Sequence, residues 1–152
     1  MPKILILGVS GMLGNAAYRL FAASEGWTVA GRARSLDGLD ALPRTATASI
    51  AGGLDISDGG RLNEEIAAEK PDLVLNCIGV IKQLSEAKDP IVSIEINALF
   101  PHRLAKICGE AGARLVHVST DCVFNGKGSM YRETDPSDAE DMYGKSKYLG
   151  EV

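Results

Sequence analysis

Tyr143 and Lys147 stand four residues apart in the segment Tyr143-Gly144-Lys145-Ser146-Lys147. On a helix this spacing puts both side chains on one face, a phenol next to an ammonium. A free phenol has a pKa of about 10, and a neighbouring cation stabilises its phenolate, bringing it toward a range useful for acid–base chemistry. Such pairs also arise on exposed helices that do no chemistry, so the pair needs context. Ser119-Thr120-Asp121 follows an apolar run and adds a hydroxyl able to donate to a carbonyl oxygen on which negative charge develops; otherwise it is only a strand end. Near the amino terminus, Gly8-Val9-Ser10-Gly11-Met12-Leu13-Gly14 follows another apolar run. Gly8 and Gly11 let a backbone approach a pyrophosphate, Gly14 lets a helix pack on a strand, and the helix start receives the anion. The G-x-x-G-x-x-G spacing differs by one residue from the common dinucleotide fingerprint, and the same glycines would serve a plain tight turn.

Positioning these groups requires strands that end, and helices that begin, at the right places. Short apolar runs at Lys3–Leu7, 27–30, 72–77 and 114–119 read as strands buried on both faces, as in a parallel sheet. A short edge strand is expected within 45–55. Met12, Leu13, Ala16, Ala17, Leu20 and Phe21 recur at helical spacing, as do Leu62 and Ile66 before Pro71, and a longer helical stretch over 90–111 contains Pro101. Residues 124–138 read as a loop, with a last helix starting near Asp138 and still running at Val152. The alternation of strand and helix predicts an α/β domain with a doubly wound parallel sheet.

Where the second strand ends, Arg32 and Arg34 precede any carboxylate, the first being Asp37. An acidic residue there binds the ribose 2′-hydroxyl of NAD, whereas arginine accommodates the 2′-phosphate of NADP, so NADP is expected with NAD possible. Both arginines would equally suit a solvated loop. The chain has 152 residues with 16 basic and 20 acidic side chains, a net charge of −4, and is 45% hydrophobic. One folded domain is expected, with no nucleic-acid partner and no membrane segment, in the cytoplasm. Cys77, Cys108 and Cys122 have no metal-ligand spacing and read as reduced thiols; no metal site is expected. His102 and His117 lack triad partners in sequence, and Asp135, Asp138, Glu140 and Asp141 mark a solvated stretch ahead of a helix start.

Taken in order, Gly8-x-x-Gly11-x-x-Gly14, Leu54-Asp55-Ile56, Ser119-Thr120-Asp121-Cys122-Val123-Phe124 and Tyr143-Gly144-Lys145-Ser146-Lys147 with Gly150-Glu151 resemble the extended short-chain dehydrogenases/reductases, in particular the dTDP-4-dehydrorhamnose reductase family. The resemblance implies reduction of a 4-keto nucleotide sugar, with Thr120 orienting the carbonyl, Tyr143 giving the proton and Lys147 supporting it. It also implies that Asp55 and Ile56 flank the adenine and that Cys77, Ile78 and Gly79 pass beneath the nicotinamide. Ser10, Met12 and Leu13 would join the glycines at the cofactor. In the wider superfamily an Asn on the helix containing Pro101 holds a water linked to the lysine. Pro101 frees the carbonyl four residues earlier, that of Asn97, so Asn97 is expected to serve a relay toward Lys147, an ordinary kink being the alternative. Two departures concern the substrate: Cys122 where the family often has Tyr, and the segment 76–83. A third is the missing sixth strand and substrate lobe, from which an N-terminal piece of a longer chain, or a homo-oligomer, is expected. The alternatives to the reductase are an NAD-dependent nucleotide-sugar epimerase or dehydratase and a non-catalytic dinucleotide-binding regulatory subunit.

Overall fold

The computed structural model describes residues 1–81, 89–128 and 130–152. Lys82 and Gln83, which belong to the divergent segment 76–83, lie outside the described residues. The chain divides into two compact units, Met1–Ile78 with Arg103–Val118, and Gly79–His102 with Ser119–Val152.

In the first unit, strands β1 (Lys3–Leu7), β2 (Thr28–Arg32), β3 (Ala48–Ala51), β4 (Leu73–Asn76) and β5 (Arg114–His117) form one sheet in the order β3-β2-β1-β4-β5. Every pairing is parallel, with Leu7 opposite Arg32 on one side and Asn76 on the other. Parallel neighbours need crossovers, and helices supply them: α1 (Met12–Ala23), α2 (Gly59–Glu69) and the later part of α4 (Phe100–Ala111). This is the doubly wound, Rossmann-like arrangement that strand and helix periodicity predicted. The strand order reverses between β1 and β4, the topological position at which open α/β sheets receive ligands at the carboxyl ends of their strands. Ile4, Ile6, Val29 and Ala48 from the strands pack with Val9, Tyr18, Leu39 and Leu42 in the core. The Tyr18 hydroxyl, inside that core, donates to the Pro43 carbonyl at 2.8 Å. The expected edge strand is present as β3, while β5 ends at His117, with Val118 N–H bonding Asn76 O at 3.2 Å just beyond it.

Charge ties α2 to the sheet. Glu69 pairs with both Lys3 at the start of β1 and Arg32 at the end of β2, and Arg32 Nε also lies 3.4 Å from Glu65 Oε2. Burial alone would push the Glu69 carboxyl up, but hydrogen bonds from Lys3 and Arg32 and their charges bring it below the usual carboxylate range.

The second unit holds α3 (Pro90–Ser93), a π-helical segment (Ile94–Leu99), the opening of α4, a 3-10 turn (Asp121–Val123) and α5 (Met142–Leu149). Asp89 caps α3 through the N–H groups of Ile91 and Val92, with Pro90 at the first helical position. Pro101 has no N–H to offer, and the helix before it is wound wide, Phe100 N–H bonding Glu95 O five residues back. The last helix starts at Met142, later than the expected Asp138, and ends at Leu149 instead of running to Val152. Asp138 is engaged elsewhere: it accepts from Asn125 N–H at 2.7 Å, while the Ser137 hydroxyl bonds Val123 O at 2.6 Å. Asp141 caps the helix instead, accepting from Gly144 N–H at 2.8 Å. The intervening loop is internally stitched, with the Phe124 and Tyr131 rings stacked at 4.4 Å and Lys127 paired to Glu140. No helix among the described residues is long and apolar enough to cross a membrane.

Glu69 gives a pH test. Its carboxyl lies lower in the folded chain than in the unfolded one, so its contribution is complete above the unfolded value, about 4.3, and is lost as pH falls through the folded value. Urea midpoints followed from pH 7 to pH 3 are expected to fall more steeply for wild type than for Glu69→Gln, which itself costs about 1–2 kcal/mol at pH 7. Parallel curves would show that this carboxylate contributes no pH-dependent stability.

Candidate functional site

In the first unit the chain leaves β1 through Gly8, whose φ of +86° is the left-handed conformation that glycine adopts without strain. Gly8 N–H bonds Arg32 O at 2.9 Å, and Gly11 N–H bonds Gly8 O at 3.0 Å, closing the turn. A methyl group on Gly14 would overlap the Gly8 carbonyl, so α1 begins directly against the turn. Gly11 contributes no capping side chain and the first turn of α1 holds no acidic residue, whereas Asp58, Asp89 and Asp141 cap α2, α3 and α5. Ser10, Gly11, Met12 and Leu13 are exposed around this uncapped helix start. A close-packed glycine cradle opening on uncapped N–H groups fits a pyrophosphate.

The same turn meets the connection leaving β4. A methyl on Gly8 would stand 3.1 Å from Ile78 Cγ1 and 3.3 Å from the Cys77 carbonyl. Asn76, fully buried, accepts from Ile78 N–H at 3.0 Å through Oδ1, and its Nδ2 lies 3.0 Å from His117 Nδ1 on β5. Burial pushes the Cys77 thiol up, which disfavours a thiolate and suits a packing role; the Cys108 thiol is likewise pushed up to about 11. All three cysteines are free, as expected.

Arg32, expected at the 2′-phosphate of NADP, has its side chain paired within the first unit. Its guanidinium folds back along the sheet to Glu69, which also reaches Lys3, and Lys3 pairs with Thr28 at the opposite end of β2. Only 9% of the residue is exposed, and its charge is answered by Glu65 and Glu69. Arg34, two positions on, is exposed, with its carbonyl accepting from Gly53 N–H at 3.0 Å. Asp55 turns onto its own chain: Ser57 Oγ and N–H bond its carboxylate at 2.6 and 2.9 Å, which lowers its pKa. Ile56 beside it is half-buried.

In the second unit Thr120 caps the 3-10 turn, Oγ1 accepting from Cys122 N–H at 3.2 Å. That turn sits on α5 through Gly144, where a methyl would overlap the Cys122 carbonyl. Thr120 and the residues flanking Gly144 are thereby brought together. Tyr143 is half-buried and Lys147, one turn later, is 4% exposed. Burial pushes the Lys147 ammonium down from its ordinary value, and the negative charge of Glu151 opposes that shift. Gly79, at the start of this unit, would carry a methyl 3.3 Å from Asn97 Oδ1.

Asn97 is fully buried, with its side chain taken up by neighbours. Oδ1 accepts from Val80 N–H at 2.9 Å, and Nδ2 donates to Val80 O at 3.1 Å and Ser146 Oγ at 3.2 Å. Ser146 in turn donates to Tyr143 O at 2.9 Å. The Asn97 carbonyl lies against Gly150, on which a methyl would overlap it. The residues that sequence reasoning missed are therefore clamps: Asn76, Ser146 and Glu151. Asn76 carries a signal, a polar residue closing the apolar run Leu73-Val74-Leu75; Ser146, between two lysines, carries none.

A model of the RmlD substrate binding domain matches residues 2–152. The chain belongs to that family. Among relatives, it is 32% identical over 151 residues to a dTDP-4-dehydrorhamnose reductase of Streptomyces griseus, covering 99% of this chain and 44% of that one. It is also 30% identical over 149 residues to methionine adenosyltransferase 2 subunit beta of Xenopus laevis, covering 98% and 41%. The UDP-Glc/GlcNAc 4-epimerase structure from Campylobacter jejuni superposes with a TM-score of 0.87 at 22% identity, over 99% of this chain and 47% of that one, a likeness of fold. The chain thus spans less than half the length of these proteins. In this RmlD-family member the family's Rossmann-like sheet is formed within the residues at hand.

Asn97→Ala would leave both main-chain groups of Val80 without their buried partner. A loss of about 2–4 kcal/mol in urea denaturation is expected; a midpoint within experimental error of wild type would show that the clamp carries no stability.

Proposed function

We propose that this chain is the dinucleotide-binding part of an NADP-dependent reductase acting on a 4-keto nucleotide sugar. The observation that carries the reading is the arrangement in the second unit: the Thr120 turn seated on α5, with Tyr143 and the buried Lys147 one helical turn apart. The nicotinamide, when bound, supplies the hydride that reaches the keto carbon. Everything else falls to side chains of this protein. Thr120 Oγ1 accepts from Cys122 N–H, and its proton, directed at Asp121 Oδ1 over a long 3.3 Å, would turn to a substrate carbonyl oxygen. Tyr143 gives its proton to that oxygen, and Lys147 stabilises the phenolate left behind. Removal of the ammonium from water strengthens its field at the phenol.

Gly8, Ser10, Gly11, Met12, Leu13 and Gly14 would hold the pyrophosphate, Asp55 and Ile56 the adenine side, and Cys77, Ile78 and Gly79 the nicotinamide side. Of the two arginines, Arg34 is assigned to the 2′-phosphate, because Arg32 is held by Glu65 and Glu69. Asn97 enters as a clamp that fixes Val80 to α5; a relay toward Lys147 would have to pass its carbonyl, against which Gly150 packs. Lys147 itself would also bond a ribose hydroxyl. The relative named as an adenosyltransferase subunit favours a second reading, a dinucleotide-binding subunit whose site residues serve binding alone.

Tyr143→Phe separates the two. For the reductase, NADPH oxidation in the presence of a dTDP-4-keto-deoxysugar is expected to fall at least about 100-fold in kcat, with coenzyme affinity changed less than about twofold. A wild-type reductase-length protein containing this part that binds coenzyme but turns over no keto sugar would favour the subunit reading. Arg34→Ala is expected to weaken NADPH about tenfold and leave NADH unchanged, whereas Arg32→Ala lowers the melting temperature without altering the NADPH:NADH affinity ratio. The opposite pattern would return the 2′-phosphate to Arg32.

A further inference from the structure

Ser119, Lys147 and Glu151 lie within one unit and converge at the end of α5. Ser119 Oγ donates to Glu151 Oε1, so a carboxylate following α5 is fastened to the residue immediately before Thr120. Glu151 N–H bonds Tyr148 O at 2.9 Å, which makes Glu151 a continuation of the final turn and fixes its place along the helix. Tyr143 and Lys147 stand four residues apart on α5, the spacing that keeps side chains on one helical face, and Glu151 follows in the tightened turn just past the capping Gly150. We propose that Glu151 is a positioning residue for the Thr120, Tyr143 and Lys147 set, its carboxylate fastening Ser119 to the end of α5 while placing a counter-charge one turn beyond Lys147. The inference rests on the reading of Lys147 as the partner of Tyr143.

The chemistry explains why such a residue is needed. A lysine can stabilise a phenolate only while it carries its proton, and Lys147 is 4% exposed, in surroundings that disfavour the charged form. Among the described residues, the elements packed on α5 hold these other ionisable groups: Glu95 on the π-helical segment, His102 at the opening of α4, whose Nε2 lies 2.7 Å from Leu149 O, Asp121 and Cys122 on the 3-10 turn, and Asp89 ahead of α3. On the helix itself stand Tyr143, Lys145 and Tyr148. Against that desolvation the negative charge of Glu151 favours the protonated form of Lys147. Because the same carboxylate accepts from Ser119, the residue that precedes Thr120 and the helix that carries Tyr143 share one anchor.

The test reads Lys147 directly, without turnover. In protein labelled with 13C at lysine Cε, the Lys147 signal, assigned by its loss in Lys147→Arg, is followed by NMR from pH 6 to pH 11 in wild type, Glu151→Gln and Ser119→Ala. Glu151→Gln keeps a hydrogen-bonding partner for Ser119 but removes the charge, so the Lys147 midpoint is expected to move to lower pH with the melting temperature held. Ser119→Ala keeps the charge and is expected to move the midpoint less. Identical midpoints in wild type and Glu151→Gln overturn the proposal, as does a Ser119→Ala shift equal to or larger than that of Glu151→Gln. Glu151→Asp, which retains the charge, is expected to restore the wild-type midpoint, and failure to do so likewise counts against it. Coenzyme titration of the same samples keeps the outcomes apart: a wild type that binds neither NADPH nor NADH defeats the reductase reading, while the lysine titration still decides the role of Glu151.

Discussion

Two polypeptide segments can lie in contact at a carbonyl oxygen only if neither interposes a Cβ, and each unit of this protein meets that constraint at a turn next to a helix. In the first, Gly14 lets α1 start against the carbonyl of Gly8. In the second, Gly144 lets α5 lie on the carbonyl of Cys122. A side chain at either position would lift the helix from the turn by the width of a methyl group, and the functional groups on each side would separate. The closed turn after β1 and the seating of the Asp121–Val123 turn on α5 are thus products of the same steric rule.

Buried polarity then fixes what the glycines bring close. Asn76 holds the turn after β4 and reaches β5, and Asn97 holds Val80 and Ser146. Each side chain is fully buried, so each broken bond leaves a polar group without water to replace its partner. Lys147 is the costliest of these groups because it is charged. Placing an ammonium out of water weakens its hold on the proton. The opposing charge of Glu151 bears on that balance.

Arg32 shows how a charge can be legible and its task not. Its position at the end of β2 fits a phosphate ligand by the usual rule, yet its side chain is long enough to fold back and neutralise carboxylates on α2. Glu65 and Glu69 are more than thirty positions away in sequence, and nothing local announces the pairing. Membership of the RmlD substrate-binding-domain family and the likeness to reductases, to an adenosyltransferase subunit and to an epimerase fold leave this kind of assignment to the geometry.

The sequence by itself determined the strand and helix alternation, the parallel sheet, the glycine turn and the Tyr143–Lys147 spacing. These follow from apolar period, backbone freedom and side-chain separation along the helix, all properties of neighbouring residues. The start of α5 was misplaced because Asp138 and Asp141 are equally good caps locally, and only Asn125, across the loop, removes the first from the choice. Only the tertiary structure decided that Arg32 is an internal ion-pair partner, that Asn97 clamps Val80 and Ser146, and that Ser119 meets Glu151. Each of those outcomes depends on which distant group competes for the same hydrogen bond or charge, and that competition exists only once the chain has folded.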